Sequence, residues 1–306
     1  MAETGVRDFS GFDYVIVGAG TAGCVLANRL SADPDVNVLL LEAGGKDNYI
    51  WIKIPVGYLY TMNNPRTDWC FQTTEETGLN GRALSYPRGK GLGGCSIING
   101  MIYMRGQARD YDHWRQLGNA GWGWDDILPY FLRSEDFFGG RDAMHSTGGE
   151  WRVESPRIAW KLLDAFRDAA HELGIPKIDD FNLGNNEGSA YFHVNQRAGR
   201  RWNAAQAFLH PVRKRPNLTV FTQALAHRIT FKGQRADGVE VRLLDGMGRL
   251  EARKEVILSA GAVGSPHLLQ VSGVGPGAVL AKLGLPVVHD LPGVGHNLQD
   301  HLQLRL

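Results

Sequence analysis

Asp13-Tyr-Val-Ile-Val-Gly-Ala-Gly-Thr-Ala-Gly23, continued by Cys24-Val-Leu-Ala-Asn-Arg-Leu30 and by Val38-Leu-Leu-Leu-Glu42, decides the fold. An apolar strand runs into a glycine turn, a helix-compatible run follows, and a second apolar strand ends on an acid. This order predicts a β-α-β unit that holds a dinucleotide by its pyrophosphate and adenosine ribose. Gly18 permits the tight turn, Gly20 lets the backbone come close to the phosphates, and Gly23 lets the helix lie close to the strand. The helix opening at Thr21 and Ala22 offers N–H groups and the positive end of its dipole to an anion. Glu42 can accept hydrogen bonds from ribose hydroxyls, and its charge repels a 2′-phosphate, which disfavours NADP. The motif leaves NAD and FAD both open.

A second glycine-rich segment, Gly89-Lys-Gly-Leu-Gly-Gly-Cys-Ser-Ile-Ile-Asn99-Gly-Met-Ile-Tyr103, narrows the choice. Glycines 89, 91, 93 and 94 bring the backbone close to something bulky. A plain nicotinamide enzyme does not need this second approach. A flavin does, because its ring and ribityl chain extend beyond the pyrophosphate. Ser96 and Asn99 are placed to hydrogen-bond the ribityl hydroxyls or the ring edge. A glycine-rich packing turn is the alternative reading of the same residues.

On these residues the chain resembles the glucose–methanol–choline (GMC) family of FAD-dependent oxidoreductases. The resemblance rests on Gly18 to Gly23 with Glu42, on Gly89 through Asp112, and on Gly261-Ala-Val-Gly-Ser-Pro-His-Leu-Leu-Gln-Val-Ser-Gly-Val-Gly275. Asn297-Leu-Gln-Asp-His301 is similar to the family's following segment. Asn80-Gly-Arg through Arg105-Gly looks most like the choline dehydrogenase and aliphatic alcohol dehydrogenase branch. The resemblance implies an α/β fold: a Rossmann-like FAD-binding domain (βαβ plus β-meander) over 1–150 and 215–306, incomplete at its C-terminus. The beginning of an α+β substrate domain would span 151–214. It implies cofactor contacts at Glu42, Ala43, Trp69, Gly91, Gly94, Cys95, Asn99, Gly100, Met101 and Ile102, with Ala226 offering its backbone to the adenine. Ile98 stands where members with covalent flavin carry a His, so FAD is expected to be held non-covalently. Cys95 replaces the family's Gly, Ser or Thr, and is expected to behave as a small packed residue.

The activity implied is oxidation of a small primary alcohol, choline-like or aliphatic, to the aldehyde. A base takes the hydroxyl proton while hydride passes to flavin N5. The family's His base lies in its C-terminal part, so no catalytic residue is assigned in these 306 positions. A complementing C-terminal chain is then an expected partner. The electron acceptor (quinone, dye or O2) is not encoded in any residue read. An inactive FAD-binding fragment and an NAD-dependent dehydrogenase are the rival functions.

Composition sets outer limits. Hydrophobic residues make up 43% and charged residues 21%, the balance of a globular protein. With 33 basic against 32 acidic residues there is no footprint for nucleic acid. Cys24, Cys70 and Cys95 are widely spaced, with no CxxC pair, which suits the reducing cytoplasm. No Cys/His spacing suggests a metal. No signal peptide is expected at the N-terminus, and no apolar run is long enough to span a membrane. Peripheral membrane contact stays open.

Along the chain, residues 44–87 read as extended loops. Asp125 is predicted to cap a helix over Ile127 to Leu132, and Trp160 to Leu173 to form an amphipathic helix. A short helix is predicted from Asn203 to Leu209. Strands are predicted over Leu218 to Phe221, Ala226 to Phe231, Gly238 to Leu244 and Leu250 to Arg253, with turns at Gly233 and Gly246-Met247-Gly248. A separate apolar strand is expected over Glu255 to Ala262, then a helix over Ser265 to Val271 with Pro266 at its first position. The last expected strand is Leu302 to Leu306. The ten histidines show no pattern that marks a site, and Asp300 next to His301 reads as structural.

Overall fold

The computed structural model describes residues 7–301, so the strand expected over Leu302 to Leu306 lies outside the described residues. The chain forms two compact units. One takes the residues up to Asn48, Thr61–Ile98 and those from Ala204 on; the other takes Tyr49–Tyr60 and Asn99–Asn203.

The first unit is built on a six-stranded sheet. Its strands are β1 (Arg7–Val17), β2 (Val38–Glu42), β3 (Leu218–Thr222), β4 (Leu225–Lys232), β5 (Arg235–Leu243) and β6 (Gly246–Leu258). Their order is β4-β5-β6-β1-β2-β3. From β6 to β3 the neighbours are parallel, while β4, β5 and β6 form the expected antiparallel meander. Helix α1 (Thr21–Leu30) crosses between β1 and β2, and α2 (Gly261–Val271) follows β6. All five residues of β2 are buried, as an interior parallel strand requires. Val15, Val17, Leu39 and Leu41 pack with Val239, Val241, Leu250 and Leu268 in one core.

Four local expectations change. Leu250 to Arg253 and Glu255 to Ala262 are not separate strands. Leu250 to Arg253 and Glu255 to Leu258 both lie in β6, which pairs with β5 only from Gly246 to Glu251 but with β1 as far as Leu258, while Gly261 and Ala262 already belong to α2. Arg253, Lys254 and Glu255 are exposed where β6 leaves β5, and these charges broke the apolar pattern. The β5–β6 turn accordingly falls on Leu244-Asp245, and Gly246 to Gly248 lie inside the strand. Helix α2 begins at Gly261, so Pro266 sits within it and leaves the Ala262 carbonyl without its usual N–H donor. The short helix expected from Asn203 is one wide turn, Ala205–Leu209, followed by a tighter one, His210–Val212.

The second unit is α+β. Helix Ala108–Gln116 and helix Trp124–Ser134 share an aromatic cluster of Tyr111, Trp114, Trp122, Trp124 and Phe131. The second of these helices is capped at Gly123, whose N–H donates to Asp126 at 3.1 Å, and not at Asp125. Glu135–Phe137 runs parallel to Trp151–Val153, and Ile102 and Glu154 both bridge to Val194. These pairings stitch residues before 150 to those after it. The compact units therefore part at Ile98/Asn99 and Asn203/Ala204, where the sequence suggested 150 and 214.

Helix Lys161–Glu172 attaches by its polar side. Arg167 donates to the Ile178 and Ser189 carbonyls, and Tyr191 Oη donates to Asp164 at 2.9 Å. Its apolar residues Leu162 (75% exposed), Leu163 and Phe166 (56%) stand outward. Among the described residues, no helix is long and apolar enough to cross a membrane.

A buried ion cluster braces the second unit. Arg105 Nη2 lies 2.7 Å from Glu135 Oε1, and His145 stands between Glu135 (Nδ1 at 3.2 Å) and Asp180 (Nε2 at 2.8 Å). His193 approaches the same Asp180 at 3.5 Å. Burial works against the His145 charge, but the Asp180 and Glu135 carboxylates overcome it and raise the pKa to about 9. A histidine raised from 6.5 stabilises the fold fully below pH 6.5 and loses that contribution as pH rises through 9. Replacing His145 by Gln should flatten the fall in stability over this window, which otherwise amounts to about 3 kcal/mol. Urea unfolding from pH 6 to pH 10 measures it; an unchanged pH profile in H145Q refutes the assignment.

Candidate functional site

The loops after β1 and β2 meet the second glycine segment through main-chain hydrogen bonds. Gly93 N–H donates to the Ala19 carbonyl at 2.8 Å, and Leu92 N–H donates to Gly45 at 3.0 Å. The segment 89–95 thus lies across the loop 18–23 and the loop 44–45, all within the first unit.

The glycines there serve two different purposes. A Cβ on Gly18 would stand 2.5 Å from the Ser259 carbonyl oxygen, one on Gly23 only 1.9 Å from Gly18 O, and one on Gly94 only 2.6 Å from Gly20 Cα. Gly44 and Gly89 are blocked in the same way, by Lys90 and Gly94 main chain. These residues are glycine because protein backbone touches protein backbone. Gly91 is held by its φ of +153° and by Gly45 O at 3.2 Å. Gly20 differs. Its φ of −71° suits any residue, and a Cβ there would find its nearest neighbours at 3.9 Å. The fold itself does not ask for glycine at this position.

Gly20 is also the N-cap of α1. Thr21 and Ala22 are exposed at the helix start, and the first helical hydrogen bond is donated by Cys24 to Gly20 O. The N–H groups of Thr21, Ala22 and Gly23 precede that bond, so they point along the axis as an anion site needs. Cys24 is buried, and burial with the nearby Glu42 charge raises its thiol pKa, so it stays protonated.

Glu42 is buried at the end of β2, with Ala43 next to it. Its Oε2 accepts Ala19 N–H at 2.9 Å and its Oε1 accepts Gly44 N–H at 2.8 Å. Desolvation pushes its pKa up to about 7, against the pull of the Gly44, Ala19 and Gly91 N–H groups and Lys90. Three N–H donors leave the carboxylate about one of its four lone-pair sites for a further donor.

The remaining expected residues divide. Trp69 is half-buried and joins the segment 88–90: its N–H donates to Arg88 O, Lys90 Nζ lies 4.9 Å over its ring, and Phe71 stacks on it. Cys95 is half-buried, and its Sγ accepts Gly89 N–H at 3.4 Å. Ala226 pairs with Val241 on β4; the chain reaches it past Glu42, where Gln223 and Ala224 donate to Gly44 and Glu42 carbonyls. Ser96 is not available as expected. It is buried, donates to Gly93 O at 2.6 Å and accepts Ala204 N–H at 2.9 Å. Asn99, Gly100, Met101 and Ile102 belong to the second unit, where Asn99 and Gly100 are exposed and Met101 is buried.

Among the histidines, His145, His193 and His210 have carboxylate partners that their spacing did not announce. Asp300 accepts the His301 backbone N–H at 2.8 Å and the Tyr86 hydroxyl at 2.9 Å.

The chain was compared with known proteins. The sequence profile of the GMC oxidoreductase family matches residues 12–303. The chain is 46% identical to an oxygen-dependent choline dehydrogenase of Photobacterium profundum, covering 96% of this chain and 52% of that protein. It is 44% identical to an alcohol dehydrogenase [acceptor] of Pseudomonas putida, over 96% of this chain and 54% of that protein. The crystal structure of pyridoxine 4-oxidase from Mesorbium loti superposes with a TM-score of 0.91 at 39% identity, over 95% of this chain and 57% of that one. The chain spans about half the length of the curated relatives it matches.

The two classes of glycine separate in a stability measurement. Gly94→Ala should cost at least about 2–3 kcal/mol, from its left-handed φ of +53° and the clash with Gly20. Gly20→Ala should leave the melting temperature unchanged or raise it slightly, since its backbone suits alanine. Equal losses in a thermal melt of the two variants would contradict this division.

Proposed function

The chain belongs to the GMC oxidoreductase family, and we propose that it forms the FAD-binding part of an enzyme that oxidises a small primary alcohol to its aldehyde. The observation that carries the reading is Gly20: a glycine that the fold does not require, set at the N-cap of a helix whose first N–H groups face outward. A side chain there would occupy the place of a bound pyrophosphate. The N–H groups of Thr21, Ala22 and Gly23 would hold that group with the help of the helix dipole. Glu42 would accept the adenosine ribose hydroxyls, with Ala43 beside it and the Ala226 backbone serving the adenine. Trp69, Gly91, Gly94, Cys95 and the run Asn99, Gly100, Met101 and Ile102 would line the rest of the cofactor. With Ile98 in place of a His, the flavin is held non-covalently. Bound FAD supplies the hydride acceptor for the alcohol carbon.

The relatives' names support the substrate class: a choline dehydrogenase and an alcohol dehydrogenase. We assign the base that takes the hydroxyl proton to none of the residues of this chain. The outward apolar face of helix Lys161–Glu172 fits the same picture, because an amphipathic helix docked by its polar side leaves its apolar side for a partner. We place the complementing polypeptide on that face. The chain alone should self-associate, and L162E with F166E should restore the monomer while abolishing complementation. A chain that is monomeric in size-exclusion chromatography without these changes argues against the placement. The three free cysteines suit the cytoplasm.

FAD titration followed by flavin fluorescence tests the cofactor reading. The parent chain should bind FAD and G20A should not, although G20A keeps its fold. Affinity should also follow the ionisation of Glu42. Its raised pKa means that the protonated acid is favoured in the free chain below about 7. Ribose hydroxyls donate to the carboxylate, so FAD affinity should rise with pH, by up to about tenfold per unit, and level off above pH 7. Glu42→Gln should bind more weakly with a flat profile. A parent chain with no affinity for FAD, or one that prefers NAD, overturns the reading. Alcohol-dependent dye reduction by the chain alone would refute the placement of the base elsewhere.

A further inference from the structure

Arg201 is 1% exposed, on the short hairpin formed by Gln196–Arg197 and Arg200–Arg201. A guanidinium is costly to enclose, and burial draws its pKa down to about 10. Its Nη1 donates to Asn99 Oδ1 at 2.9 Å. The same oxygen accepts the Met101 N–H at 3.0 Å. Met101 has a φ of +63°, a left-handed conformation that costs a non-glycine residue about 1–2 kcal/mol. It is held there from its other side as well, by Asn195 N–H on its carbonyl at 2.8 Å and by Gln196 Nε2, 3.8 Å from its sulfur. The turn 99–101 is therefore fixed against strain, and all of its braces lie in the second unit.

The chemistry of these donors fixes the sense of the Asn99 amide. Guanidinium has five N–H donors and no acceptor, and the Met101 N–H is a donor too. Only the carboxamide oxygen can face them. A flip would set two N–H groups against two donors. Asn99 is exposed, and the group it has left to offer a ligand is its NH2, a donor only. It cannot serve a hydroxyl that needs an acceptor. It can serve a carbonyl or imine edge, which on the isoalloxazine becomes more electron-rich on reduction.

We propose that Arg201 is a positioning residue that makes Asn99 a one-way hydrogen-bond donor to the electron-rich edge of the flavin, and so raises the reduction potential of the bound cofactor. The proposal rests on the assignment of Asn99 to Ile102 to the flavin made above. A donor aimed at an atom that gains negative charge binds the reduced state more strongly than the oxidised one.

The test is the reduction potential of the FAD-loaded chain, titrated against a reference dye. Arg201→Gln should lower it by about 30 mV or more, a tenfold loss for a two-electron couple. Asn99→Ala should lower it too. The double variant should fall no further than N99A, because Arg201 acts through Asn99. Flavin-loaded R201Q with the parental potential overturns the proposal, as do additive effects in the double variant. Should R201Q not retain flavin, N99A decides alone: a lowered potential supports the proposal and an unchanged one refutes it. If the parent chain takes up no FAD, the cofactor assignment fails first and this one with it.

Discussion

The first unit depends on a contact between two stretches of main chain that carry no side chains where they touch. A methyl on Gly94 would strike Gly20 Cα, and Gly93 hydrogen-bonds Ala19. The parallel strands alone would leave the loops after β1 and β2 with unpaired backbone groups. The segment 89–95 supplies partners to both, through Gly93 to Ala19 and Leu92 to Gly45. Ser96 then carries the connection onward, because its hydroxyl holds the N–H of Ala204, where the chain turns back toward β3. One backbone contact thus links the β-α-β unit, the second glycine segment and the return to the sheet.

That contact changes what the glycines mean. From sequence, Gly20 and the glycines of the second segment looked like room made for a cofactor, while Gly18 was assigned to the turn and Gly23 to helix–strand packing. Most of them are room made for protein. Gly18, Gly23, Gly44, Gly89 and Gly94 each face main-chain atoms at distances no Cβ can share. The packing-turn reading and the cofactor reading of residues 89–94 therefore hold together: the second segment must first fit the first loop in order to stand beside it. Gly20 stands apart, at the position the sequence motif assigns to the phosphates: a Cβ there would meet no neighbour closer than 3.9 Å.

The strand–turn–helix–strand order, the meander and the acid at Glu42 were legible because each follows from a local period or a local turn. What stayed hidden was non-local. β6 looked like two strands because its solvent-facing Arg253-Lys254-Glu255 interrupts the apolar run, and only pairing with β1 shows that the strand continues. Ser96 looked like a ligand group because its nearest demand, Ala204 N–H, comes from more than a hundred residues away. The ion cluster of Arg105, Glu135, His145, Asp180 and His193 has no sequence signature, since its members come from five separate stretches that the second unit folds together. The pairing of Val194 with both Ile102 and Glu154 was hidden for the same reason.

Glu42 shows how the folding role and the binding role meet in one side chain. A buried carboxylate costs free energy, and that desolvation pushes its pKa up to about 7. Backbone N–H groups of Ala19, Gly44 and Gly91 keep it in place, and the first two tie the first glycine loop to the end of β2. They do not fully offset its desolvation, or its pKa would lie in the usual carboxylate range. Gln could keep one of the two backbone bonds, but its NH2 would face the second donor unpaired. The fold therefore needs an acceptor on both oxygens, and it tolerates a charge that is half neutralised by a proton at pH 7. A ligand that brings hydroxyl donors to those oxygens would complete the solvation that folding leaves unfinished.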